Sequence, residues 1–224
     1  MTPKKCLIFD SGPLINFAMN GSLNILESLK KEFDGDFLIT KEVKQEIIDT
    51  PLAIKRFELE ALQLKDLFDR RIIKLADITE KQIDELRNKR EEIMNTANNM
   101  FKSKKSYIHL LDKGESAVLA LSKIIKAPNM LVIDERTARM LCENPENLRK
   151  LLEKKLHTPI IGNKNNYSYF KGYKVIRSTE LAFIANKKGL FEIKDSRALE
   201  AILYGLKFKG CSISEEEIEE MKRM

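Results

Sequence analysis

Four acidic residues lie where the binding of a hard cation would need them. Asp10 and Asp134 directly follow the apolar runs KKCLIF and MLVI, which are typical of strands buried on both faces of a parallel sheet. Glu46 falls on the helical segment after a second strand, and Glu115 opens the Ala-rich helical segment before the strand that ends at Asp134. Because ligands of open α/β sheets bind beyond the carboxyl ends of the strands, we expect these four side chains to meet at one sheet edge.

A group of carboxylates without histidine or cysteine is hard oxygen ligation, which suits Mg²⁺ or Mn²⁺. Such ions offset phosphate charge, activate a bound water and stabilise a leaving alkoxide, so the pattern predicts phosphodiester hydrolysis. Two of the acids also have structural explanations. Glu46 lies four residues after Glu42, which is typical of an exposed helix face. Asp112 and Glu115 have the spacing of a helix capping box.

Other chemistries find little support in the composition. Three distant cysteines and only two histidines, His109 and His157, argue against structural zinc and against a disulfide framework. The chain has no G-x-G-x-x-G, Walker or G-x-S-x-G motif. It also has no apolar run near the roughly 18 residues of a membrane span, and it begins with a strand-like segment rather than a signal peptide. We therefore expect a cytoplasmic protein that does not enter a membrane.

The order of elements predicts an α/β fold with a mostly parallel central sheet of about five strands. We expect a catalytic core over residues 1–143, with a helical elaboration over 52–108 made of two long helices and an edge strand. Residues 144–224 form a basic insertion followed by a strand and helices that pack on the same domain. Thr40 is the expected N-cap of the helix that carries Glu46, and Pro51 its end.

The net charge of +6 is unevenly placed. Residues 1–148 hold 24 basic and 24 acidic residues, whereas residues 149–188 hold 10 and 2, which indicates a local anionic partner. Within a polar loop over 163–173 and the strand after it, lysines alternate with tyrosines that suit phosphate contacts and base stacking on single-stranded RNA. The candidate RNA-binding residues are Lys164, Tyr167, Tyr169, Lys171 and Lys174. A solvated surface loop explains the same composition equally well.

Four strings in order, IFDSGPLI, ITKEVKQEI, LDKGESAVLALS and LVIDERTARML, resemble the signature blocks of PIN-domain proteins, the nuclease family that includes VapC toxins. The C-terminal KGL and GCSIS strings resemble the ending of one branch of that family. The resemblance implies a three-layer sandwich and a Mg²⁺- or Mn²⁺-dependent endoribonuclease, commonly a homodimer. Asp10, Glu46, Glu115 and Asp134 would be its catalytic and metal-binding acids. Some members are toxins held by an antitoxin protein, and others process RNA alone.

Four further residues are expected to support the site: Ser11, Glu135, Arg136 and Arg139. We expect the two arginines to pair with the acidic cluster or with a substrate phosphate, and Ser11 to cap its helix or contact the metal shell. One alternative is a non-catalytic PIN-like module that binds RNA or protein. A phosphatase with an aspartyl nucleophile ranks last, because that mechanism normally has a second aspartate where this chain has Gly12.

Overall fold

The computed structural model describes residues 4–104 and 106–224, so residues 1–3 of the predicted core and Lys105 of the predicted elaboration lie outside the described residues. The strands are β1 (Lys5–Phe9), β2 (Gly35–Ile39), β3 (Lys74–Leu75), β4 (Phe101–Lys102), β5 (Asn129–Val132), β6 (Ile161–Gly162) and β7 (Val175–Ile176). The α-helices are α1 (Ser11–Met19), α2 (Leu23–Glu32), α3 (Lys41–Lys44), α4 (Glu58–Asp69), α5 (Glu80–Asn98), α6 (Lys113–Ile124), α7 (Arg136–Glu143), α8 (Pro145–Leu156), α9 (Ser178–Lys187), α10 (Ala198–Lys209) and α11 (Glu215–Arg223).

Five strands form one sheet in the order β3-β2-β1-β5-β7, and every neighbouring pair is parallel. Residues 6–9 of the central strand β1 are all buried, so helices cover both faces of the sheet. The predicted α/β class and strand number are confirmed. Because Phe9 pairs with Val132, Asp10 and Asp134 leave neighbouring strands at the same edge.

The helices pack in groups around this sheet. Helix α6 contacts β1 and β5 and packs along α5, while α1, α2 and α9 contact one another and α1 also contacts α10. Strands β4 and β6 form a small antiparallel pair outside the main sheet. Within the part of the chain that the structure describes, no helix is long and apolar enough to cross a membrane.

Local sequence explains how the elements begin. The Thr40 hydroxyl accepts the backbone N–H of Val43, which confirms the predicted N-cap. The helix that follows is not continuous, contrary to expectation, because α3 has only four residues and passes into a π-helical turn over Gln45–Asp49. Such turns are rare and frequently lie at functional sites. Glu46 lies in this turn.

The segment after residue 144 also differs from expectation in one place. The polar stretch predicted as a loop contains a 3₁₀ helix over Lys164–Phe170. Strand β7 then joins the edge of the main sheet by pairing with β5. The chain turns into α9 immediately afterwards, so the first residue of α9 lies beside the end of β5.

Candidate active site

Asp10 is 5% exposed and follows β1 directly. Burial raises the pKa of its carboxyl to about 7, and repulsion from Glu46, Asp112 and Asp134 adds to this, although the backbone N–H of Ser11 partly offsets it. No ion pair joins Asp10 to a basic side chain among the described residues. An uncompensated carboxylate at a strand end favours a bound cation.

Asp134 is equally buried but is held very differently. Its Oδ2 accepts hydrogen bonds from Asn16 Nδ2 at 2.6 Å and from Ser178 Oγ at 2.7 Å, and its Oδ1 accepts from the Ser178 backbone N–H at 2.7 Å. The Asp134 carbonyl also accepts the backbone N–H of Ser212. Asp134 is therefore fixed by donors from three separate segments of the chain.

Glu46 is exposed overall, yet its carboxylate lies against the first turn of α6. A Cβ atom placed on Gly114 would come within 2.6 Å of Glu46 Oε1, so only glycine allows this approach. Burial raises the pKa of Glu46. A hydrogen bond from the Ser11 side chain lowers it in part, whereas repulsion from Asp112 and Glu42 raises it further. The structure thus brings Glu46 to the start of α6, against Gly114.

Glu115 is half-buried and has the structural role that its spacing allowed. Its Oε2 accepts the backbone N–H of Asp112 at 2.9 Å, and Asp112 Oδ1 accepts the Glu115 N–H, which completes a capping box. Burial raises the pKa of Glu115 to about 8. The hydrogen bond from the Asp112 N–H lowers this pKa in part, whereas repulsion from Asp112, Asp10 and Glu135 raises it. The same side chain therefore caps α6 and belongs to the acidic cluster.

The four acids supply only oxygen donors, and no basic side chain among the described residues forms an ion pair with any of them. This donor set fits Mg²⁺ or Mn²⁺ by its chemistry. In the described ranges, however, no three His, Cys, Asp or Glu side chains are placed to hold one ion together. Glu115 faces its capping partner and Asp134 faces Asn16 and Ser178, so the carboxylates are neighbours without forming a closed ion site.

The supporting residues agree only in part with the sequence prediction. Ser11 does not cap α1, but its side chain hydrogen-bonds Glu46, one of the four acids. Glu135 caps α7, because its Oε2 accepts the N–H of Ala138. The predicted pairing of the arginines with the acidic cluster is wrong. Arg139 pairs with Glu143, and Arg136 Nε donates to the hydroxyl of Ser212 at 2.8 Å.

The tyrosines of the predicted RNA-binding segment are part of the fold. Tyr167 donates its hydroxyl to Glu146 and meets Phe101 edge to face, and Tyr169 meets Phe170 in the same way. Both rings are partly buried against the core, so the expectation of tyrosines free to stack on bases is not supported. The lysines Lys164, Lys171 and Lys174 are exposed.

These lysines do not all lie near the acids. The Lys171 carbonyl is 3.5 Å from Lys123 Nζ, in the last turn of α6 and nine residues beyond Gly114, a helical rise of about 14 Å. The Lys174 carbonyl accepts the N–H of Leu131, three residues before Asp134 and about 10 Å back along the strand. Lys171 and Lys174 therefore lie toward the opposite edge of the sheet.

A cavity of about 350 Å³ lies beyond the ends of β2 and β3. Its floor is apolar, with Ile39, Leu75 and Leu121 among its lining residues, and Arg87 and Arg90 line it from α5. None of the four acids lines it. The cavity is therefore separate from the acidic cluster.

Sequence reasoning missed Asn16 and Ser178. Asn16 is a 4% exposed polar residue inside the apolar string LINFA, and a buried amide needs partners, so this was a usable signal. Ser178 lies 44 residues from Asp134 in sequence, and no local pattern marks it.

A family model described as a PIN domain matches residues 6–147, more than half of the chain. The chain belongs to the PIN-domain family. This is a nuclease-type fold, and all four acids fall inside the matched PIN span, whereas Ser178 and Ser212 lie beyond it. No curated protein and no solved structure matches the chain.

Proposed function

We propose that this PIN domain is a metal-dependent endoribonuclease that hydrolyses RNA phosphodiester bonds. The observation that carries the proposal is the approach of Asp10, Glu46, Glu115 and Asp134 to one another from four chain segments. Three of them have raised pKa values, and no basic side chain in the described part of the chain forms an ion pair with any of the four. Structural acids are usually paired with a base, whereas acids that serve a cation are not.

The cation would be Mg²⁺ or Mn²⁺, held by these four acids. When bound, it would offset phosphate charge and lower the pKa of an attacking water. The chain's own groups contribute differently. Asp134 is already oriented by its three donors, whereas Asp10 and Glu115 carry raised pKa values and gain most from an added positive charge. Glu46 is exposed at the rim, with its carboxylate held against Gly114 and hydrogen-bonded by Ser11.

Arg136 is the side chain best placed to contact a substrate phosphate. It is exposed, its Nε is used by Ser212, and among the described residues no carboxylate pairs with it. Its two terminal amino groups extend from the first turn of α7, two residues after Asp134. Arginine binds phosphate oxygens through such paired donors.

The test is RNA cleavage with Mn²⁺ or Mg²⁺ by the wild type and by Asp10→Asn and Asp134→Asn. We expect both variants to lose cleavage by at least about 10²-fold, which corresponds to about 2.7 kcal/mol of transition-state stabilisation. Asp34→Asn is the matched control, because Asp34 is exposed and directly precedes β2, at the end of that strand away from Glu46. Undiminished cleavage by folded, clean preparations of the two variants would exclude this site.

A non-catalytic module that binds RNA or protein is the second candidate. Two observations favour it: the absence of a ready-made three-ligand site among the described residues, and the engagement of Glu115 in its capping box. It predicts equal RNA binding in Mn²⁺ and in EDTA, and no cleavage with any divalent ion.

Within the ribonuclease proposal, we further propose a cytoplasmic homodimer that acts either as the toxin of an antitoxin pair or as a stand-alone RNA-processing enzyme. A small antitoxin-like reading frame beside its gene, and co-purification of that product, would decide for the toxin.

A further inference from the structure

The C-terminal segment 175–214 reaches the acidic cluster although the PIN-domain match ends at residue 147. It touches Asp134 in two places. Ser178, the first residue of α9, donates its N–H and its hydroxyl to the two carboxylate oxygens, and Ser212 donates its N–H to the Asp134 carbonyl. Ser178 is fully buried, so these bonds are shielded from water.

Ser212 is held in place by three arginines. Arg136 donates to its hydroxyl, and its carbonyl accepts from Arg177 at 2.9 Å and from Arg139 at 3.4 Å. Two of these arginines belong to α7, which follows Asp134 directly, and the third precedes α9. The connection between α10 and α11 is thus hydrogen-bonded to Asp134 at the end of β5 and to the helix that follows it.

The donors distinguish Asp134 from the other three acids. Both of its oxygens are engaged, by Asn16 from α1 and by Ser178 from α9. By contrast, Asp10 receives a backbone N–H from Ser11, Glu115 receives one from Asp112, and Glu46 receives a side-chain hydrogen bond from Ser11. Donors of this kind fix the direction of a ligating carboxylate, and metal sites are sensitive to their loss.

We propose that Asn16 and Ser178 are positioning residues that orient Asp134 for the metal, and that segment 175–214 is therefore part of the active site. The inference rests on the proposed function. A purely structural explanation is that Asp134 caps α9. That explains the bond from the Ser178 N–H, but the Ser178 hydroxyl and the Asn16 amide add donors that a helix cap does not need.

Three variants remove the donors in steps. Ser178→Ala removes the hydroxyl alone, and Asn16→Ala removes the amide. Ser178→Pro removes both Ser178 donors at a position where proline is tolerated, since it is the first residue of a helix and Arg177 before it is extended. Asn129→Ala is the matched control, because its amide bonds Ser122 and Ala127 at the other end of β5.

The measurements are Mn²⁺ affinity by calorimetry, the electron paramagnetic resonance spectrum of bound Mn²⁺, and the melting temperature without metal, all on full-length protein. We expect Ser178→Ala to bind Mn²⁺ roughly 10-fold more weakly, and Asn16→Ala and Ser178→Pro up to about 100-fold, with an altered spectrum. Asn129→Ala should melt earlier yet bind Mn²⁺ like the wild type.

Folded Ser178→Ala and Asn16→Ala proteins with wild-type Mn²⁺ affinity and spectrum would overturn the inference, whatever their melting temperatures. In that case, Mn²⁺ binding by the wild type and its loss in Asp10→Asn would leave the proposed function standing. If the wild type itself binds no Mn²⁺, the proposed function and this inference fall together.

Discussion

Replacing Asp10 by asparagine should remove the proposed activity and at the same time stabilise the metal-free protein at alkaline pH. The folded protein holds the Asp10 carboxyl at a pKa of about 7, raised chiefly by burial from an ordinary value of 3.8. The folded state therefore favours the protonated form. Its stabilising contribution is complete below about pH 4 and is lost as the pH rises through about 7.

The size of the effect follows from the shift. Each unit of pKa difference corresponds to about 1.4 kcal/mol, so about three units give an upper bound of about 4 kcal/mol in unfolding free energy at pH 8. The asparagine amide has the same shape but must find partners for its own donors, at a cost of about 1–3 kcal/mol, so we expect a net gain of about 1–3 kcal/mol. For a domain of this size, that gain raises the melting temperature by roughly 2–12 °C.

The assay is thermal and urea unfolding of the wild type, Asp10→Asn and the exposed control Asp34→Asn in EDTA at pH 5 and pH 8. The gap between Asp10→Asn and the wild type should widen from pH 5 to pH 8, while Asp34→Asn tracks the wild type. Excess Mn²⁺ should close the gap, since binding at 100 times the dissociation constant adds about 2.7 kcal/mol to the wild type alone. A gap that does not change with pH, or a less stable Asp10→Asn at pH 8, would refute the reasoning.

Three further outcomes are expected. Gly114→Ala, a change that normally favours a helix, should reduce Mn²⁺-dependent cleavage about 10-fold or more because its Cβ displaces Glu46; a nuclease assay against the wild type decides this. Thr79→Ala breaks the capping box of α5 and should cost about 1 kcal/mol in urea unfolding, with cleavage unchanged. Replacing Lys171 and Lys174 by glutamine should weaken the binding of long RNA but leave cleavage of short oligomers unchanged. The slope of log binding constant against log salt concentration should fall by up to about 1.4, which binding titrations at several salt concentrations measure.

The parts of the fold that short-range patterns govern could be predicted from the sequence. The buried runs ending at Asp10 and Asp134 marked two adjacent strands, and Thr40 marked the start of α3. The capping spacing of Asp112 and Glu115 was also correct. Each of these depends on contacts within a few residues or on the periodicity of one element.

Long-range polar contacts could not be predicted. The partners of Asp134 are 118 and 44 residues away, and Arg136 meets Ser212 across 76 residues, so no spacing rule connects them. The sequence predicts that Arg136 and Arg139 pair with the acids or with a substrate phosphate, because both arginines closely follow Asp134. In the structure Arg136 instead contacts Ser212, which lies in the connection between α10 and α11.

The basic excess of residues 149–188 is partly used in ion pairs within the fold. Arg149 pairs with Glu146 and Glu153, and the buried Arg177 pairs with Glu180 and Glu217, so part of the formal charge is neutralised within the fold. Lys171 and Lys174 are two of several lysines in this stretch that form no ion pair among the described residues, and they lie toward the sheet edge opposite the acids. If both ends act on one RNA, that RNA must cover at least the roughly 10 Å between Lys174 and the strand end that carries Asp134, so oligomers shorter than this distance lose the lysine contacts. Substrate length, rather than total charge, is then the variable that separates affinity from chemistry.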